Sequence, residues 1–157
     1  MLTSGWAARV PSPSVSGYIF LKYLHLLSVF TVAVTLCGEG LLLRDTLTRA
    51  EVRRISYVDL TYGAAAIIAV ALGLYLWLGG VGRPAEFYAR NWYIYLKIGI
   101  FSFVGILSLY PTVWYFRERK GAPAESVSVP ASVRWTVIAE IVLLATLPLW
   151  AVLMVYG

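Results

Sequence analysis

Apolar residues fall into four long runs, approximately Tyr18–Leu43, Ser56–Val81, Trp92–Phe116 and Val133–Tyr156, separated by short polar segments. Each run reaches the length of about 20 residues that a helix needs to cross a hydrocarbon core of about 30 Å. None alternates with the period of two that a lipid-facing barrel strand requires, so helices are the spanning structure that satisfies the backbone. The pattern predicts an all-α polytopic membrane protein, a four-transmembrane-helix up-down-up-down bundle. Residues 1–17 read as an N-terminal tail and 18–157 as the transmembrane domain, with helices at about 18–43, 49–81, 92–116 and 132–156.

The connections carry their own signals. Arg44-Asp45-Thr46-Leu47 suits a tight turn, and Thr48-Arg49-Ala50-Glu51 matches a capping box, with Leu47 and Val52 at the positions of a hydrophobic staple. The second helix therefore starts about two turns before the membrane. The second connection, from Gly82 to Asn91, is bounded by Gly79, Gly80, Gly82 and Pro84; it follows a membrane helix and not a strand, which argues against a phosphate-cradling loop. The third, from Arg117 to Ala131, contains Gly121-Ala122-Pro123-Ala124-Glu125-Ser126, which has linker chemistry.

Of the 157 residues, 60% are hydrophobic and 13% charged, against about a quarter charged in soluble domains. The net charge of +5 resides mostly in two arginine-rich connections without a basic, aromatic-lined groove, so nucleic acid is excluded as a partner and the lipid bilayer is expected. Arg44, Arg49, Arg53, Arg54, Arg117, Arg119, Lys120 and Arg134 lie on one side, Arg9, Arg83 and Arg90 on the other. That asymmetry places the first and third connections in the cytoplasm and both termini in the periplasm of a bacterial inner (plasma) membrane. The single cysteine, Cys37, excludes an intramolecular disulfide and a cysteine-based metal motif.

Ionisable residues inside a membrane helix need a partner or a function. Lys22, His25, Glu39, Asp59, Lys97 and Glu140 are such residues. His25 and Glu39 share one face of the first helix, about 21 Å apart along its axis. His25 and Lys97 belong to an outer basic layer, and Glu39, Asp59 and Glu140, with Tyr62, to an inner acidic layer. The structural alternative is that Lys22 and Asp59 reach the interface and that Glu39 and Glu140 pair with Arg134, Arg44 or Tyr62 to pin the bundle. Gly38 and Gly40 allow a helix to approach Glu39, and Ala65, Ala69 and Gly73 form a small-residue ridge. Clustered acids with a tyrosine also suit a proton relay, whereas a lone membrane histidine suits either a hydrogen bond to a neighbouring helix or an axial haem iron ligand. No self-sufficient catalytic motif is present, which leaves enzyme activity open.

Tyr23-Leu24-His25-Leu26-Leu27, Glu39 before Leu42-Leu43-Arg44, Asp59-Leu60-Thr61-Tyr62-Gly63, Lys97, Leu107-Ser108-Leu109-Tyr110-Pro111-Thr112 and Glu140 together resemble the bacterial membrane family catalogued as domain of unknown function 2214. That resemblance implies a four-helix inner-membrane protein without an assigned activity. Leu21-Lys22-Tyr23-Leu24-His25, with Trp92 and Lys97, is more loosely similar to the HemJ-type protoporphyrinogen oxidases. This second resemblance implies haem b, with His25 as iron ligand and Lys97 facing the tetrapyrrole. The chain departs from it in lacking the tyrosine- and histidine-bearing stretch after the first helix. The expected function is thus a haem- or porphyrin-associated, redox-active membrane protein. The alternatives are an accessory or assembly subunit of a larger membrane complex or homo-oligomer, and a proton- or ion-linked carrier.

Overall fold

The computed structural model describes residues 15–79 and 84–156. Most of the expected tail, with Arg9, and the segment holding Gly80, Gly82 and Arg83 lie outside the described residues. In chain order the elements are α1 (Val15–Leu42), β1 (Thr46–Thr48), α2 (Arg49–Leu78), α3 (Ala85–Ala89), α4 (Trp92–Glu118), β2 (Ser126–Ser128) and α5 (Ala131–Tyr156). Four of these helices, α1, α2, α4 and α5, are long and apolar enough to cross a membrane. The protein is an integral membrane protein of four transmembrane helices.

The helices pack most extensively as two antiparallel hairpins, α1 with α2 and α4 with α5, and contacts of α1 with α5 and α2 with α4 close the bundle. Large apolar residues such as Val34, Leu41, Ile67 and Ile106 remain exposed on the outside; in lipid they face the solvent they match. The interior holds two apolar groups. Val32, Leu36, Tyr62, Ala65, Val104, Val137 and Leu144 fill the middle. Leu47, Val52, Ile55, Tyr115, Val129 and Val133 fill the end beneath the first and third connections.

Those two connections are more ordered than a turn and a linker. They pair as an antiparallel ribbon, with Thr46 opposite Ser128, Leu47 opposite Val127 and Thr48 opposite Ser126. Alternation explains it: Leu47 points into the core and its flanking threonines away. The capping box forms as predicted, with Thr48 accepting from the Glu51 amide and Glu51 accepting from the Thr48 amide at 2.7 Å. Leu47 and Val52 are both buried, as a staple demands. Arg49 then ties the hairpins together, donating to the Glu118 carbonyl at 2.7 Å and to both Glu125 carboxylate oxygens at 2.7 and 2.9 Å. Gly121, at φ +122°, lets the third connection turn against the Arg49 side chain, in a conformation L residues rarely adopt.

Candidate functional site

Glu39 is 1% exposed, Asp59 4% and Glu140 1%, three carboxyls from three helices in the interior of one bundle. Small residues bring them together. A Cβ on Gly38 would lie 4.0 Å from Val58 Cγ1, so α2 passes beside Glu39 and presents Asp59, the next residue. On the other side, a Cβ on Gly40 would lie 2.8 Å from Ile141 Cδ1 and 3.9 Å from Val137 Cγ1, so α5 closes over α1 and presents Glu140 between those two residues. The glycines flanking Glu39 thus do what their spacing predicts, each admitting a different helix.

The fourth wall comes from α4. Thr112 donates to Asp59 at 2.8 Å, Ser108 meets the Tyr62 phenol, and Tyr115 is fully buried. Glu39, Asp59 and Glu140 lie within electrostatic reach of Tyr62 and Tyr115. Glu39 Oε1, Glu140 Oε1 and the Tyr115 hydroxyl have no hydrogen-bond partner among the described residues. Ser108, Thr112 and Tyr115 were not singled out by the sequence reading as part of this layer. Their spacing of four and three on one face of α4 is the signal that could have found them.

The expected ion pairs do not form. Arg134 pairs with Asp45 in the first connection and not with Glu140, and Arg44 is exposed. Physically, Arg134 lies less than two turns from Glu140 on α5, nearer the helix end, and its partly exposed side chain reaches the first connection, where Asp45 takes Nη1. Among the described residues the acidic layer therefore has no cationic partner.

His25 and Lys97 occupy a separate place. The imidazole is half-buried, and its Nδ1 lies 2.9 Å from the Ala69 carbonyl of α2. A carbonyl only accepts, so Nδ1 donates. Gly73 makes room for the ring, since a Cβ there would come within 3.1 Å of His25 Cε1; the small-residue ridge of α2 packs on α1. Lys97 lies within electrostatic reach of the imidazole and makes no hydrogen bond or ion pair among the described residues. Val32, Leu36, Val104 and Leu144 fill the bundle between this pair and the acidic layer. Lys22 is exposed, its ammonium 5.6 Å over the Tyr18 ring. Among the described residues, no three His, Cys, Asp or Glu side chains are grouped so as to hold a metal ion.

The family described as "Predicted membrane protein (DUF2214)" matches residues 18–157. The chain belongs to that family. Comparison with curated proteins and with solved structures gave no match.

Proposed function

We propose that the chain is a proton-exchanging protein of the bacterial inner membrane, in which Glu39, Asp59 and Glu140 take up and release protons. The observation that carries this reading is the burial of three carboxyls from three helices, with no cation paired to them among the described residues. Ionised carboxylates in so dry a place would repel one another and lose their hydration, and a proton is the smallest species that neutralises them. Glu39 Oε1, Glu140 Oε1 and the Tyr115 hydroxyl retain free hydrogen-bonding capacity, so a proton has acceptors to move between. The excess of arginine and lysine on the ribbon end favours placing that end in the cytoplasm, with both termini periplasmic.

The test is infrared difference spectroscopy of the reconstituted protein across a pH jump. The wild type should show protonated-carboxyl bands that Glu39→Gln and Glu140→Gln each diminish, with helicity by circular dichroism retained. An amide keeps hydrogen bonding, so each variant should lose only about 0.6–2 kcal/mol of stability. Spectra identical in wild type and both variants would overturn the reading.

A second reading rests on His25. With Nδ1 donating to the Ala69 carbonyl, Nε2 is left as the nitrogen able to accept a ligand, and metal-bound imidazoles are oriented in this way. His25 would then hold a haem iron, and Lys97 would offer its charge to an anionic group of the tetrapyrrole. Haem would supply one-electron chemistry. A Soret band in the gently purified protein, lost in His25→Ala, supports this reading, and a spectrum without one refutes it.

A further inference from the structure

At the ribbon end, α1 and α5 part to leave a cleft of about 290 Å³ lined by Gly40, Leu43, Arg134, Trp135 and Ile138. It occupies the last turn of α1 and the first two turns of α5, where the apolar spans give way to the arginine-bearing connections. Trp135 is exposed beside it, where an indole anchors at that boundary. The charged group in its lining is only partly satisfied. Arg134 Nη1 pairs with Asp45, whereas Arg134 Nε is buried without an acceptor. A buried guanidinium N–H without a partner is costly, and the edge formed by Nε and Nη2 is the fork that grips two oxygens of a phosphate or carboxylate at once.

We propose that this cleft binds the phosphate of an anionic phospholipid headgroup, with the Nε edge of Arg134 as its donor. Three features favour a lipid over a free anion. The rest of the lining is apolar or glycine, which offers a soluble phosphate one partner only. Ile138 and Val142, four residues apart on one face of α5, are both exposed and continue the cleft toward the bilayer interior as a track for an acyl chain. This end of the bundle is rich in arginine, including the exposed Arg44 and Arg54, and an anionic leaflet is drawn to such a surface. Asp45 holds the opposite edge of the guanidinium and so fixes the orientation of the fork. This site is independent of the proton reading, although the cleft lies directly against Gly40, next to Glu39.

The experiment uses the full chain, delipidated in a neutral detergent, and measures lipid retained by native mass spectrometry. Phosphatidylglycerol, a diacylglycerol of the same chains and inorganic phosphate are the three probes. Phosphatidylglycerol should bind about tenfold more tightly than diacylglycerol, and Arg134→Gln should remove about that factor, the size of one charge-assisted hydrogen bond. Ile138→Trp, which fills the cleft from an exposed position and leaves Arg134 in place, should lower binding as well. Thus a folding defect in Arg134→Gln does not decide the outcome. Asp45→Asn should bind at least as well as wild type, because Nε is unaffected. Equal retention of the two lipids overturns the proposal, as does phosphatidylglycerol binding that survives both Arg134→Gln and Ile138→Trp. Arginine-dependent binding of inorganic phosphate that phosphatidylglycerol does not displace assigns the cleft to a free anion and equally overturns it.

Discussion

The two ends of this bundle are built differently. At the ribbon end the hairpins are fastened by β1 and β2, by the Arg49 clasp, and by the Thr112–Asp59 hydrogen bond. At the far end no described residue of segments 15–31, 70–78, 92–103 or 145–154 is buried. There the helices meet through discrete contacts: His25 on Ala69, Trp77 edge-on to Tyr95 with centroids 6.1 Å apart, and Trp150 against Trp92 and Tyr93. Side-chain size accounts for the difference. Gly38, Gly40, Ser56 and Ser108 let backbones approach at the ribbon end, whereas Trp77, Trp92, Tyr93 and Trp150 hold them apart at the other. A closed end can shelter carboxyls from lipid and water, and a looser one can open. The acidic layer accordingly sits in the closed half.

If stability is concentrated at the ribbon end, equivalent truncations should differ sharply between the halves. Ile55, 1% exposed, is expected to lose about 2–5 kcal/mol on replacement by alanine, the range for a fully buried aliphatic side chain. Leu76→Ala, at a half-buried position near the far end, should lose less than half as much. Denaturation of both variants in one detergent measures the contrast, and equal losses would break the comparison. A smaller effect sharpens it. Gly73→Ala presses a methyl to 3.1 Å from His25 Cε1, on a ring already fixed by its bond to Ala69, and should cost about 1–3 kcal/mol. Gly63→Ala meets nothing within 4 Å and should be neutral or gain about 0.5–1 kcal/mol in helix propensity. A Gly73→Ala protein as stable as Gly63→Ala would show that the His25 contact contributes nothing to joining α1 and α2.

The four helices, the capping box and the admission of neighbouring helices by Gly38 and Gly40 were legible because each depends on local spacing. Hydropathy fixes where a helix lies, and a missing Cβ says that something comes close. What spacing does not contain is the choice among long-range partners. Arg134 stands between Asp45 in the first connection and Glu140 six residues further along α5, and its pairing with Asp45 depends on how the connection folds back over the helix end, which sequence does not encode locally. The pairing of Thr46–Thr48 with Ser126–Ser128 was hidden for a related reason. Three-residue strands are too short to show a period, and their register is set by the burial of Leu47 and by Arg49 reaching Glu118 and Glu125. Rotation of α4, which brings Ser108, Thr112 and Tyr115 into the acidic layer, became apparent only once the helices were assembled.

The smallest expected effect concerns pH and the clasp at the ribbon end. The Glu125 carboxyl is held below the ordinary glutamate range, first by the hydrogen bond it accepts from Arg49 and then by the charge of that guanidinium. A group whose folded-state value is depressed binds protons less readily when folded than when unfolded. Its contribution is therefore complete above the unfolded glutamate value, about 4.3, and is lost as pH falls through the lower folded value. The pair is open to solvent, with the Glu125 side chain half exposed, so screening keeps the contribution small. The comparison to make is the melting temperature of wild type minus that of Glu125→Gln in low salt. This difference should be positive and flat at neutral pH, and should shrink toward zero only on acidification below the ordinary carboxylate range. Raising the salt concentration should reduce it at neutral pH. The two glutamines tested in the acidic layer offer the contrast, because bilayer burial shields those positions from salt. A difference for Glu125→Gln that is insensitive to both acid and salt would mean that the carboxylate serves only as a hydrogen-bond acceptor, and that the ribbon and its apolar core, not the charge pair, close this end.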